Sequence, residues 1–490
     1  MSGIGEKLSK IFEKSTVTTY LIGFGYSSMS TVTPMFVIII NIILMGHFLK
    51  FSSLGVIERE LFSCTVLYIF IFALLTCAPF NSVLSKYMSD VIFEERYQDI
   101  RPCYYLGMLM NLSFSSLLGI PFCLWEHFVG KVDVFYVFTG YCGYIALVLV
   151  FYSMVYLSIA KDYQRISLFY SIGMVWSFFF SLFLRYVMKW GIRESMLFAL
   201  MTGFYLIAFL EIAIVKRYFT KNSNRYQSVL RYFKKYWQLV VANFCYILGL
   251  YIHNFVFWTT DMRMVLVKTF VCNQPYDMAT CLAMFTNISA TVIFIARVEM
   301  YFHDKYKNYS EAVIGGRGAD IDIARTEMFR QLSSELMSLV RVQFIITSVV
   351  YLICTAILLR LGFSNLTLRI YPCLVAGYFV VFLMYSEIIF LYYFNDLTGA
   401  TLTSVTFCLV TFLGSILASR LPELWYGLGV VLGAFSGFTV AYFRLRYMER
   451  RLDVHIFCEG SILKPGAGTQ PPGKVYDRIQ KIGSEERQDG

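Results

Sequence analysis

Twelve stretches of about twenty or more mainly apolar residues recur along the chain, near 20–48, 61–84, 103–125, 134–159, 166–188, 195–215, 237–260, 277–299, 338–360, 369–394, 400–419 and 423–443. A run of that length is what an α-helix needs to cross the roughly 30 Å hydrocarbon core of a bilayer. Within that core every backbone N–H and C=O must be paired inside the protein, and long unbroken apolar runs do this as helices. The composition agrees, since 58% of the 490 residues are hydrophobic, 15% are charged and the mean hydropathy is +0.61. Such values exclude a soluble globular class. The chain is read as an all-α polytopic membrane protein of about 12 transmembrane helices.

An even number of spans places both termini on one side of the membrane. Of the 42 Lys and Arg, 31 fall in the termini and loops of one side and 11 on the other. The excess marks the cytoplasmic side, so both termini are expected in the cytoplasm. This topology, with anionic lipid, accounts for the net charge of +10 ahead of any acidic substrate. The first fourteen residues, MSGIGEKLSKIFEK, mix charge with Ile4, Leu8, Ile11 and Phe12 at helical spacing. They predict a retained helix lying on the membrane surface rather than a cleaved signal.

The most basic short connection, 216–236, carries Lys216, Arg217, Lys221, Arg225, Arg231, Lys234 and Lys235 and falls between spans six and seven. It divides the chain into an N-terminal six-helix bundle, 1–215, and a C-terminal six-helix bundle, 237–457. Six-plus-six is the plan of transporters built from two related halves. The second half includes a long loop, read as a cytoplasmic helical hairpin 301–337 docked under the membrane, with a turn at Gly315-Gly316-Arg317-Gly318 and Asp320 as an N-cap. Residues 458–490 are rich in Pro, Gly and charge, which predicts disorder.

Nothing catalytic assembles. The twelve cysteines are scattered singly, without Cys-x-x-Cys, and read as small core residues. The five histidines lie far apart and there is no HExxH or Walker motif. The expectation is a non-enzyme without cofactor or metal, and nothing points to nucleic acid.

Polar groups inside spans are the informative exceptions, because Lys, Arg or Asp at a helix centre costs about 2.5–3.5 kcal/mol on insertion scales. Span seven carries a notch, His253-Asn254, followed by Trp258; Tyr276-Asp277 opens span eight, which ends in Arg297-Val298-Glu299. With Glu387 of span ten, the residues His253, Asn254, Trp258, Tyr276, Asp277, Arg297 and Glu299 are candidates for a translocation pathway. Tyr246 and His253, seven apart, share a helix face. Arg297 and Glu299 are two apart and face away from each other, so Glu299 is expected to reach His303, and Arg297 to face Glu387 or Glu211. A bracing role at the membrane surface weighs equally for Arg297 and Glu299. The 46 Phe and 36 Tyr are explained by lipid-facing belts before any stacking on sugar rings.

Several features stand together in order: Gly3-Ile4-Gly5 with Leu8 and Lys10; Leu248-Gly249-Leu250-Tyr251-Ile252-His253-Asn254-Phe255-Val256-Phe257-Trp258; Tyr276-Asp277; Arg297-Val298-Glu299; and Glu449-Arg450-Arg451 with His455 and Phe457. In these the chain resembles the PelG family, the membrane component of Pel exopolysaccharide systems, related to flippases of the multidrug/oligosaccharidyl-lipid/polysaccharide (MOP) superfamily. The resemblance covers nearly the whole chain before the tail. It departs where the family has an acidic and then a basic residue and this chain has His253 and Asn254. It departs again after Asp396, where Leu397 and Thr398 replace basic residues, and both departures weaken the carry-over of a charge-coupled mechanism.

The resemblance implies a MOP flippase-like fold in the bacterial cytoplasmic membrane, and transport of an amino-sugar-containing polysaccharide substrate. Its implied partners are a cytoplasmic glycosyltransferase and a cyclic-di-GMP-responsive membrane protein, besides the lipid bilayer. Lys216, Arg217, Lys234 and Lys235 of the linker, with Arg317 of the hairpin, lie on the same expected side and are candidates for the docking platform. Competing readings are a lipid-linked oligosaccharide flippase or cation-coupled antiporter of the same fold, and a non-transporting scaffold for a glycosyltransferase.

Overall fold

A computed structural model describes residues 34–94, 96–159, 162–297, 302–315, 317–361 and 365–454. The expected surface helix at the N-terminus, Glu299 and the tail 458–490 lie outside the described residues. The helices are α1 (Pro34–Phe48), α2 (Val56–Phe93), α3 (Ile100–Phe128), α4 (Val134–Ile159), α5 (Tyr163–Tyr186), α6 (Ile192–Tyr218) and the short linker helix α7 (Tyr226–Lys235). They continue as α8 (Trp237–Phe257), α9 (Gln274–Arg297), α10 (His303–Gly315), α11 (Gly318–Leu361), α12 (Asn365–Tyr393), α13 (Leu397–Ala418) and α14 (Leu428–Val454). Among the described residues ten helices are long and apolar enough to cross a membrane. The two other expected spans fall on α1, described over 15 residues, and on α9.

Helix pairing in the first half is repeated in the second. In the first, α4 packs on α2, α3 and α6, α2 on α3, and α5 on α6. In addition, α1 meets α5 through the Phe48–Phe178 edge contact and a Ser177 hydroxyl aimed at the Met45 sulfur. In the second, α12 packs on α9, α11 and α14, α9 on α11, α13 on α14, and α8 on α13. Taking α8, α9, α11, α12, α13 and α14 as counterparts of α1 to α6, each pairing has its equivalent, the mark of a duplicated bundle. The turns correspond too. Asp162, before α5, accepts from Tyr218 at the end of α6, while Asp396, before α13, takes two bonds at 2.5 and 3.0 Å from Arg444 on α14.

Lipid supplies no hydrophobic drive between helices, so close approach of small residues does much of the binding. Gly429, Gly433 and Gly437 line one face of α14 at four-residue spacing. A side chain at Gly433 would collide with Thr411 of α13, whose backbone nitrogen lies 2.8 Å from where a Cβ would sit. In the first half Gly203 of α6 meets Gly173 of α5 in the same way, with its carbonyl oxygen 2.8 Å from the would-be Cβ. Buried hydroxyls such as Thr65, Ser386 and Thr403 donate to carbonyls four residues back, so these three donors are paired in the apolar interior.

Two differences from the sequence reading bear on function. The second arm of the expected hairpin and span nine are one uninterrupted helix, α11, of 44 residues, about 66 Å at 1.5 Å per residue. Instead of lying beneath the membrane as a separate element, this arm continues the axis of the span. Next to it, α10 folds back, and Phe302 packs edge-on to Phe390 and Tyr393 of α12. Asp320 lies in the first turn of α11 and its carboxylate accepts from the Arg317 backbone N–H at 3.0 Å, the returning half of a capping box rather than the N-cap itself.

The connection between spans seven and eight is also more than a short link. It forms an antiparallel hairpin, β1 (Met264–Leu266) and β2 (Phe270–Cys272), paired Met264 to Cys272 and Leu266 to Phe270. Val267 and Lys268 both adopt positive φ in its turn, 49° and 70°, a conformation that β-branched valine rarely takes. Thr269, the next residue, donates its hydroxyl to Glu126 at the end of α3 and so anchors the turn to the first half.

Candidate functional site

The halves meet along α2 and α8. Ser82 donates to the Leu239 carbonyl at 3.2 Å and Asn243 to that of Ala78 at 2.6 Å, while further along Phe72 stacks on Phe255 and Tyr68 on Trp258, the latter with ring centroids 5.0 Å apart. Buried apolar residues form one cluster from Ile38 to Cys272 and a second from Phe257 to Leu452. The hairpin therefore hangs from the second half but buries Leu266, Phe270 and Cys272 in the core of the first. Tyr68 fastens it, donating to the Val271 carbonyl at 2.6 Å and accepting from the Val271 N–H at 3.2 Å.

Five of the sequence-selected residues come together where α8 ends and α9 begins. His253 is fully buried, with Nδ1 2.8 Å from the Tyr276 hydroxyl and Nε2 3.3 Å from that of Tyr378. Tyr378 gives its one hydroxyl hydrogen to the Leu250 carbonyl at 3.1 Å. It must then accept from His253, which places the imidazole proton on Nε2 and leaves Nδ1 to accept from Tyr276. A neutral ring satisfies every partner.

Beside it, Asp277 gathers three donors onto one buried carboxylate: Asn254 Nδ2 at 2.7 Å, the Trp258 indole N–H at 3.0 Å and the Asn273 backbone N–H at 3.0 Å. A carboxylate in the first turn also suits the positive end of α9. Trp258 thus joins Asp277 by its edge and Tyr68 of the other half by its face.

Sequence reasoning missed the continuation of this cluster. From Tyr378 the polar groups pass to Asn287, which donates to the Tyr378 carbonyl at 2.9 Å, and on to Gln343 of α11, which donates to Asn287 at 3.2 Å and to Thr347 at 3.0 Å. Single Asn or Gln residues in apolar runs were the available signal, but only packing brings α9, α11 and α12 together. Glu387 does not join them. It lies nine residues beyond Tyr378 on α12, about 13 Å along the axis, is 1% exposed, and its Oε2 has no hydrogen-bond partner among the described residues. Glu211 belongs to α6 in the first half, close to Tyr104 and Tyr170, and both its oxygens lack partners among the described residues. Arg297 closes α9.

The docking candidates are all exposed: Lys216 and Arg217 at the end of α6, Lys234 and Lys235 in the last turn of α7, and Arg317 at the start of α11. α7 itself is moored to the first half by buried Val229, by Tyr87 and Ser228 at 2.9 Å, and by the Tyr232 hydroxyl donating to Asp90 at 2.6 Å. Burial, and the carboxylate that accepts its proton, push the Tyr232 hydroxyl above the ordinary tyrosine range.

The model of the family described as "PelG: Putative exopolysaccharide Exporter (EPS-E)" matches residues 1–457. This chain belongs to the PelG family. It is a multi-pass protein of the bacterial cytoplasmic membrane with a MOP-type transporter fold. No curated protein matches it. Among solved structures, an outward-facing multidrug resistance MATE family transporter of the MOP superfamily is 11% identical with a TM-score of 0.58, covering 93% of this chain and 99% of its own. A MOP superfamily transporter from Pyrococcus furiosus is 12% identical with a TM-score of 0.57, covering 92% and 97%. An inward-facing MATE transporter is 10% identical at 0.58, covering 86% and 96%. At these identities the likeness concerns the fold.

Proposed function

We propose that this PelG-family chain translocates a Pel-like exopolysaccharide across the cytoplasmic membrane as the membrane part of a synthase and export complex. The observation that carries the reading is the buried polar and aromatic track of the second half, from His253 through Tyr276 and Tyr378 to Asn287 and Gln343. A polymer of hydroxyl and acetamido groups gives up hydration on entering a bilayer, and these groups serve it by exchanging their present bonds with one another for bonds to the polymer as the bundle opens. In this reading His253 faces the route, Glu387 stands on its continuation about 13 Å further along α12, Asn254, Trp258, Tyr276 and Asp277 shape its end near the hairpin, and Arg297 stands at the opposite end of α9, with Glu299 as the remaining candidate. The exposed basic groups Lys216, Arg217, Lys234, Lys235 and Arg317 form the platform for a cytoplasmic glycosyltransferase, with a cyclic-di-GMP-responsive membrane protein as further partner.

The test is exported polymer per folded membrane protein for His253→Phe and Glu387→Gln. Loss of export per folded molecule supports the route; the thermal midpoint should hold for Glu387→Gln, whose Oε2 has no partner among the described residues, and fall for His253→Phe, which strands the Tyr276 hydroxyl. Normal export from both, with lowered midpoints, leaves these residues as braces and refutes it.

A further inference from the structure

Away from that track, a cavity of about 500 Å³ lies within the first half between α2, α3 and α4, closed by Phe244 of α8 and Phe270 of the hairpin. Its volume suits a small-molecule ligand, but its chemistry does not suit a sugar. The wall is aromatic and aliphatic, and its hydroxyls are already engaged: Tyr136 donates to Thr65 at 3.0 Å, Tyr144 to Thr76 at 3.2 Å, and both threonines donate to carbonyls of their own helix. Water or a saccharide would find few partners there.

One polar group breaks this lining. Glu126, at the end of α3, is 1% exposed; its Oε2 accepts from Thr269, while its Oε1 has no partner among the described residues. From Glu126 to Phe114, at the other end of the cavity wall on α3, is twelve residues, about 18 Å of helix and a little over half the hydrocarbon thickness. An apolar slot one leaflet deep with an unpartnered acceptor at one end of its wall matches an amphiphile. We infer that this cavity binds the acyl chain of a lipid from the leaflet opposite the basic face, the outer one by the positive-inside rule, whose head offers a hydrogen-bond donor to Glu126. Since Phe270 and Thr269 belong to the hairpin, the bound lipid touches both halves and steadies their junction.

The experiment uses the full-length protein, delipidated and then exposed to lipids of identical chains with ethanolamine, glycerol or choline heads. Retained lipid is counted by native mass spectrometry. One molecule should remain bound, the ethanolamine or glycerol lipid held about tenfold over choline, which has no donor, as pairing of an otherwise unpaired buried acceptor implies. Which of the two is held tighter tells whether Glu126 receives an ammonium or a hydroxyl. Glu126→Leu should erase the head preference. Gly140→Leu should lower binding of all three, because a Cβ at Gly140 meets only Thr65, at 3.6 Å, so the larger side chain enters the slot; Leu118→Trp serves where that variant does not fold. Bound lipid should also slow amide exchange across 264–272. Equal retention of the three lipids with no effect of Glu126→Leu, no retention at all, or unchanged binding in a folded filled variant would overturn the assignment.

Discussion

Removing the carboxylate of Asp277 tests the knot that ties α8 to α9. In the structure it accepts from Asn254, Trp258 and the Asn273 N–H at 2.7–3.0 Å. Hydrogen bonds to a charged group contribute about 1.5–3 kcal/mol each. Three simple losses would reach about 5–9 kcal/mol, but bonds that share one acceptor do not add, and we expect Asp277→Ala to cost about 3–5 kcal/mol. Asp277→Asn should cost less, about 1–3 kcal/mol: its one oxygen can still serve Asn254 and Trp258, while its NH₂ opposes the Asn273 N–H and strands one buried donor. The assay is the thermal midpoint of detergent-solubilised protein, read as the fraction surviving gel filtration after heating. Asn254→Ala combined with Asp277→Ala should be less damaging than the sum of the two by about 0.5–3 kcal/mol. An unchanged midpoint for Asp277→Ala, or strict additivity in the double variant, would refute the shared-carboxylate account.

Tyr68→Phe deletes both bonds to Val271 while leaving the ring on Trp258; amide exchange over 264–272 should quicken at least severalfold with little change in α8, and unaltered exchange would mean that burial of Phe270 alone holds the hairpin. Gly433→Val forces a side chain into Thr411 at the α13–α14 seam and should leave little folded protein, whereas Gly55→Ala, with open space around the new Cβ, should be neutral; equal yields of the two would contradict close approach as the source of that contact.

The sequence by itself determined the class of fold. Apolar runs of membrane length admit helices because backbone groups in lipid must be paired within the chain. It also selected His253, Asn254, Trp258, Tyr276 and Asp277, which the structure does gather, because their cost in an apolar setting is a local property that sequence displays. What it did not determine were the partners. Tyr378 looks like any belt tyrosine until α12 sets it against His253, and Glu126 like an interfacial acid until the hairpin brings Thr269 to it. The hairpin's place in the core of the first half, and the fusion of span nine with its cytoplasmic arm into one helix, depended on contacts between residues far apart in sequence. Local cost is written in the order of the residues, but the satisfaction of a buried polar group is a property of whatever lies across from it, and only the tertiary structure decides that.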